Sequence, residues 1–551
     1  MGFSFSYPYN VAPEYKLKVA YFCMEYAIDQ ALKTYAGGLG FLAGSHMRSA
    51  YELKQHMVGI GILWKYGYYD QVRKEDQGMA VLFQEKIYGF LVNTDIRIPL
   101  EVNGHRVWAT AYYLSPEVFG TAPVFFLSTD IPENDYEART ICHKLYNSNP
   151  ETEIAAAILL GVGGARLLEI LNWIPDIYHL NESHALPLAF SLYKQTQDIR
   201  ALRRKLVFTN HTPEESGNRK THVNLLNKMG FFCDLPIQVV QEITQNPGDI
   251  LDYTISALRL SGMANGVSAL HYQSIRRMWE TAQGICPFTF VTNAQSFSYW
   301  ADSEMYTALE QEDDDWLIRR KKTCKKALFA EVADQNGEIY DEEILTLVFA
   351  KRFGGYKRPG LLLDNMDRFH RLVTDPRRPI QIIWAGKPYP MDYTAIEYFD
   401  KISRLCKRYP NCATLVGYEL HLSRLLKQGA DVWLNVPRIT HEASGTSGMS
   451  AAMNGGINIS IPDGWFPEFA RDRINSFVIP AADPELPEHI QDEKDAQSLY
   501  DVLEQVVIPM YYDRKAEWLS ILKQGMRDII PRFDSNRMAR EYYERIYLAE
   551  K

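Results

Sequence analysis

The stretch "KRFGGYKR", Lys351 to Arg358, places four cations around two glycines that permit a sharp bend. Arg352 offers a planar fork to two phosphate oxygens, while Lys351 and Lys357 act as point charges. The cations follow "ILTLVFA", an apolar, β-prone run, so they stand at a strand end. A solvated basic loop would have the same composition; the strand-end position favours a phosphate site. A second cluster is "EASGTSGMSAAMNGG", Glu442 to Gly456. Glu442 can accept hydrogen bonds from hydroxyls, and Ser444, Gly445 and Thr446 can offer hydroxyl and backbone N–H donors. A carboxylate beside an anion-holding nest suits a sugar phosphate.

Weaker signals lie upstream. In "YAGGLGFLAG", Gly37, Gly38 and Gly40 would let backbone N–H groups approach a ligand ahead of a helix beginning near Phe41. His211 in "FTNHTP", Asn181, Glu182 and His184 in "HLNESHA", and Asn265 in "MANGVSALH" are polar groups after apolar runs. Each fits a ligand hydroxyl, but on these residues alone a structural hydrogen bond is the stronger reading. No Ser/His/Asp elbow, Walker-type loop or metal-spaced His/Cys cluster is present.

Short β-rich runs alternate with helix-like segments twice along the chain, which predicts βαβ units and parallel sheets. The expected fold class is α/β, with two doubly wound, Rossmann-like domains facing a cleft. The domains are set at residues 1–300 and 301–551, with the boundary near 290–310. The helical tail after about 495 is a candidate to pack back across the junction. The charged stretch from Glu310 to Glu343 reads as a helix with a solvated face. Ligands of such sheets bind beyond the carboxyl ends of the strands, where Asn181, Asn210, His211, Lys351, Arg352, Lys387, Asn435 and Arg438 fall.

A chain of 551 residues exceeds a single core, and a 46% apolar, 23% charged composition is ordinary for a globular protein. The net charge of −9 provides no basic field for nucleic acid or anionic membranes. Seven scattered cysteines without a CxxC pair argue against zinc and a disulfide framework and favour a reducing cytoplasm. The longest apolar run is too short to span a bilayer. Met1-Gly2 opens a myristoylation-like pattern without a basic cluster to support it, and is taken as a chance match. Oligomeric state is not legible.

The ordered set "YAGGLGFLAG", "HLNESHA", "FTNHTP", "MANGVSALH", "FAKRFGGYKR", "IIWAGKPYPMD" and "GADVWLNVPRITHEASGTSGMSAAMNG" resembles the α-glucan phosphorylase family, particularly its shorter prokaryotic members. The resemblance spans most of the chain. It implies a GT-B architecture and retaining hexosyl transfer. By position it puts Gly38 near the donor phosphate, His211 and Asn265 near sugar hydroxyls, and Arg352 and Lys357 on phosphate. Lys351 would lie near a cofactor phosphate, and Glu442, Ser444, Gly445 and Thr446 around the sugar. His211, Arg352, Lys357 and Glu442 are the expected catalytic set.

Two positions depart from the family pattern. The lysine that forms the Schiff base with pyridoxal phosphate is here Ser450, and a hydroxyl cannot form an imine. Ser296, in "TNAQSFSYW", stands where the family usually has histidine. Covalent pyridoxal phosphate is therefore excluded at this position, no cofactor or metal is expected, and non-covalent binding of that cofactor stays open. The leading expectation is a retaining hexosyltransferase with a nucleotide-sugar donor and a glucan or other glycosyl acceptor. The alternatives are an α-glucan phosphorylase that releases glucose 1-phosphate, and a non-catalytic glucan or sugar-phosphate binder.

Overall fold

The strand Val19–Phe22 is buried along its whole length and has a parallel neighbour on either side, Met57–Ile62 and Ile177–Asn181. Burial on both faces requires near-continuous apolar runs, which is why these strands read as unbroken rather than alternating. The structure is a computed structural model that describes residues 3–213 and 217–549. Gly2, which carries the myristoylation-like pattern, lies outside the described residues.

The chain folds as two units. The first comprises Met1–Tyr69, Phe83–Thr292 and Ser535–Lys551, and the second comprises Asp70–Leu82 and Asn293–Asp534. In the first unit the sheet grows outward from Val19–Phe22 in both directions. One side continues through Leu206–Thr209, Met263–Gly266 and Phe288–Phe290, all parallel. The other continues through Val124–Ser128 to the antiparallel strand His105–Leu114. The helix Ser535–Tyr542 and the turn after it pack on this unit: Ser535 Oγ lies 2.6 Å from Ser49 Oγ, and Tyr543 donates to the Leu17 carbonyl at 2.7 Å.

The second unit has a six-stranded sheet, parallel throughout, ordered Cys412–Leu415, Ile380–Ala385, Leu345–Ala350, Val432–Asn435, Ile457–Ser460 and Phe477–Val478. The winding direction reverses between Leu345–Ala350 and Val432–Asn435. A crevice opens at such a switch point, because the connections on either side leave for opposite faces.

The long helix Asp314–Asn336 differs from its sequence reading. Its stretch is not simply a solvated face, since Lys321 and Lys325 are buried. Lys325 donates to the Ile344 carbonyl at 2.8 Å and to Asp431 Oδ2 at 2.5 Å. The same Asp431 oxygen accepts the Thr346 backbone N–H at 2.9 Å. One buried ion pair thus ties together the starts of the two strands that flank the switch point. Among the described residues, no helix is long and apolar enough to cross a membrane, and all seven cysteines are free thiols.

Candidate active site

Lys351 follows directly on Leu345–Ala350, and Asn435 ends Val432–Asn435, so the switch point brings them together. The Lys351 ammonium donates to Asn435 Oδ1. Asn435 Nδ2 then donates to Asn458 Oδ1 at 2.9 Å, and Asn458 Nδ2 to the Gly448 carbonyl at 2.9 Å. This relay fixes the lysine against the loop that holds Glu442. Burial first, then the neighbouring Lys357 charge, pushes Lys351 well below the ordinary lysine range.

Lys357 forms a partly buried ion pair with Glu442. Burial opposes its charge, but the Glu442 carboxylate outweighs that effect and raises the lysine above its usual value. Arg352 is exposed on the same loop, and its charge is felt at Lys357. The fourth cation of the motif behaves differently. Arg358 is buried and donates to the Val436 and Pro437 carbonyls at 2.9 and 2.8 Å, with Asp492 and Asp495 at 3.0 and 2.8 Å. It staples the strand-end loops. Two other strand-end cations are also paired: Lys387 with Glu419 at 2.8 Å and Arg438 with Asp492 at 2.9 Å. Lys351, Arg352 and Lys357 are the strand-end cations that lie beside Glu442, with Lys357 paired to it directly.

The Glu442 loop is held from behind by Asp463, which sequence reading passed over although it follows the strand Ile457–Ser460. Asp463 Oδ2 accepts the Glu442 N–H at 2.9 Å, and Oδ1 accepts the Gly464 N–H at 2.9 Å. At Gly464, φ is +59° and a Cβ would collide with the Ser444 carbonyl oxygen, so this turn requires glycine. Ser444 and Thr446 are buried, and Gly445, at φ +74°, is partly exposed.

Burial, reinforced by the Glu442 charge, raises Asp463 to about 7. The sign follows from linkage. Unfolded, this carboxyl ionises near 3.8. Between that value and about 7 the folded chain therefore holds the extra proton, and stability falls as pH rises through the window. Each bound proton contributes a slope of up to about 1.4 kcal/mol per pH unit. Asp463→Asn removes the ionisation. The wild-type advantage in melting temperature over this variant should shrink as pH rises from 5 to 8; parallel profiles would refute the assignment.

Ser450 is fully buried on the helix Ser447–Ala452. Its hydroxyl donates back to the Thr446 and Ser447 carbonyls at 3.4 and 3.3 Å. A hydroxyl engaged with its own helix, and unable to form an imine, does not fit a covalently held pyridoxal phosphate. Ser296, at the other departure, caps the helix Phe297–Trp300, accepting the Tyr299 N–H at 3.3 Å.

In the first unit, His211 and Asn181 meet at the ends of adjacent strands. His211 Nε2 lies 2.8 Å from Asn181 Oδ1, while Asn181 Nδ2 donates to Cys23 Sγ at 3.2 Å. That orientation makes Nε2 the protonated nitrogen and leaves Nδ1 as an acceptor. Burial, then His271 and His184, lowers His211 to about 3, so the ring is neutral at physiological pH. Glu182 stands at φ +70° and ψ 169°, a region otherwise almost restricted to glycine. Its carboxylate accepts the His211 N–H at 2.5 Å and the Thr212 hydroxyl at 3.2 Å, which holds the strained corner in place.

Asn265, which the resemblance puts near sugar hydroxyls, makes structural hydrogen bonds within the first unit. It is fully buried, accepts from the Thr209 hydroxyl at 2.8 Å and donates to the Tyr542 oxygen at 3.2 Å. Its amide knits a strand end to the C-terminal helix. The glycine loop also differs. Its helix is Gly38–Glu52, starting before Phe41. The Ala36 and Gly37 N–H groups are taken by Glu25 Oε2 at 2.7 and 3.1 Å. A Cβ at Gly40 would lie 2.6 Å from Tyr35 Cβ, so that glycine serves packing. Gly38 is exposed.

Comparisons with known proteins bear on these groups. The family described as Carbohydrate phosphorylase matches residues 288–510. An uncharacterized protein of Methanocaldococcus jannaschii is 43% identical over 96% of this chain and 99% of its own length. A maltodextrin phosphorylase of Thermococcus litoralis is 31% identical, covering 97% of this chain and 71% of the relative. A glycogen phosphorylase of Mycobacterium tuberculosis is 29% identical, covering 96% and 70% respectively.

Proposed function

Since the chain belongs to the carbohydrate phosphorylase family, we propose that it is a glycosyltransferase that moves a glucosyl unit, with retention, between an α-glucan and inorganic phosphate. The observation that carries this reading is the Lys357–Glu442 ion pair, flanked by Lys351 and Arg352 at one switch point. Cations there neutralise phosphate, and the adjoining carboxylate can accept from sugar hydroxyls. Gly38 and the neutral His211 are the first unit's candidates for the substrate; Asn265 is a positioning residue. The GT-B assignment and a cytoplasmic location belong to the same proposal.

The reaction balances without a further group. The glycosidic C–O bond breaks, a phosphate oxygen bonds to the anomeric carbon, and the proton of hydrogen phosphate passes to the departing glucan oxygen. The phosphate-binding cations stabilise the charge that develops.

A nucleotide-sugar donor is the second reading. It is favoured by one observation, a serine in place of an imine-forming lysine at position 450, on the helix that follows the Glu442 loop. It ranks second because the named relatives are phosphorylases. Incubation with maltoheptaose and phosphate should release glucose 1-phosphate, and glucose 1-phosphate with a maltooligosaccharide should release phosphate. Silence in both directions, with product from a UDP-, ADP- or GDP-glucose, would transfer the assignment to the second reading. Carbohydrate binding without turnover of any donor would leave a non-catalytic binder.

A further inference from the structure

A buried lysine lies on the helix that packs against the helix of position 450. Lys427 lies on Leu420–Gly429, which packs on both Asp314–Asn336 and Ser447–Ala452. It is 1% exposed, and its Nζ sits 3.4 Å from the ring centroid of Trp300, itself 1% exposed. The amine meets Trp300 directly, and two hydrogen-bond clusters tie the backbones around position 450 to that tryptophan and to Lys427's helix. Asn454 Nδ2 donates to the Ser450 carbonyl at 2.8 Å and to the Trp300 carbonyl at 2.9 Å. Lys321 donates to the Gln428 and Asn454 carbonyls, both at 2.9 Å, and so clamps the end of Lys427's helix to the end of Ser450's.

We propose that Lys427 determines the chain's cofactor choice: its side chain, entering from Leu420–Gly429, takes the interior space beside Trp300 that a lysine at position 450 would need. In this reading Lys427 and Ser450 are one exchange. The long amine has moved to the adjacent helix, and the vacated position carries a residue small enough to lie under it. The burial of both residues agrees, since an interior at protein density has room for one such side chain and not two. Burial also pushes the Lys427 amine well below the ordinary lysine range, which lowers the cost of holding it on the tryptophan face. The inference is independent of the activity proposed above, because its test reads stability first.

The test is a double-mutant cycle on the full chain with Lys427→Val, Ser450→Lys and the pair. Ser450→Lys alone should melt well below wild type or fail to fold, and adding Lys427→Val should recover at least half of the lost melting temperature. Additive losses, or a pair that folds no better than Ser450→Lys alone, would overturn the exchange. A second readout follows incubation with pyridoxal phosphate, borohydride reduction and peptide mapping. The paired variant should be labelled at position 450 roughly ten times more than Ser450→Lys alone, the equivalent of about 1.4 kcal/mol. Equal labelling of the two, or labelling of wild-type Lys427 itself, would count against it.

Discussion

Lys357→Ala should lower kcat for phosphate-dependent glucosyl transfer by about 10²- to 10³-fold, the typical cost of losing one preorganised charge-stabilising group. Two losses combine. The substrate phosphate loses a cation, and Glu442 is left partly buried without its partner. The unpaired carboxylate then repels incoming phosphate where it had been neutralised. Adding Glu442→Gln to Lys357→Ala isolates this second effect. The coupling between the two substitutions should reach about 1–3 kcal/mol, because they share one ion pair. Arg352→Ala, on an exposed side chain, should raise KM for phosphate more than it lowers kcat. Near-wild-type turnover by Lys357→Ala would remove this pair from the site.

Lys325→Ala should destabilise the second unit by about 3–5 kcal/mol, since it leaves Asp431 charged, buried and unpaired. The urea midpoint should fall without a change in slope. Lys325→Met fills the volume but not the charge, so it should lose nearly as much. Adding Asp431→Asn, which keeps an acceptor for the Thr346 N–H while removing the charge, should restore a large part. Failure of that rescue would mean that the lysine acts through packing alone. The site feels this pair because Lys325 and Asp431 anchor the starts of the strands whose far ends present Lys351 and Asn435.

Much of the architecture was legible from local signals. Runs such as "LTLVFA" and "VWLN" are apolar throughout because parallel strands are covered on both faces, and their polar successors mark strand ends. That reasoning puts Lys351, Arg352 and Lys357 at a strand end, while Glu442 is read from its loop of small and hydroxyl residues. It could not tell a ligand cation from a structural one. Arg358, Lys387 and Arg438 carry the same charge at equivalent strand ends, yet they are consumed by carboxylates from distant segments. Asn265 fell the same way, its amide taken up by Tyr542 from the other end of the chain.

By itself, then, the sequence determined the alternation of strands and helices, a cationic strand end, a carboxylate-bearing loop of small residues, and the absence of an imine-forming amine at position 450. Those properties are set by residue type and short-range spacing. Only the tertiary structure decided which charges pair, that burial raises the Asp463 carboxyl behind Glu442, and that Lys427 lies on Trp300 while Asn454 ties that tryptophan to the Ser450 backbone. Each of these depends on burial and on partners tens to hundreds of residues apart, and neither quantity is encoded in a local window.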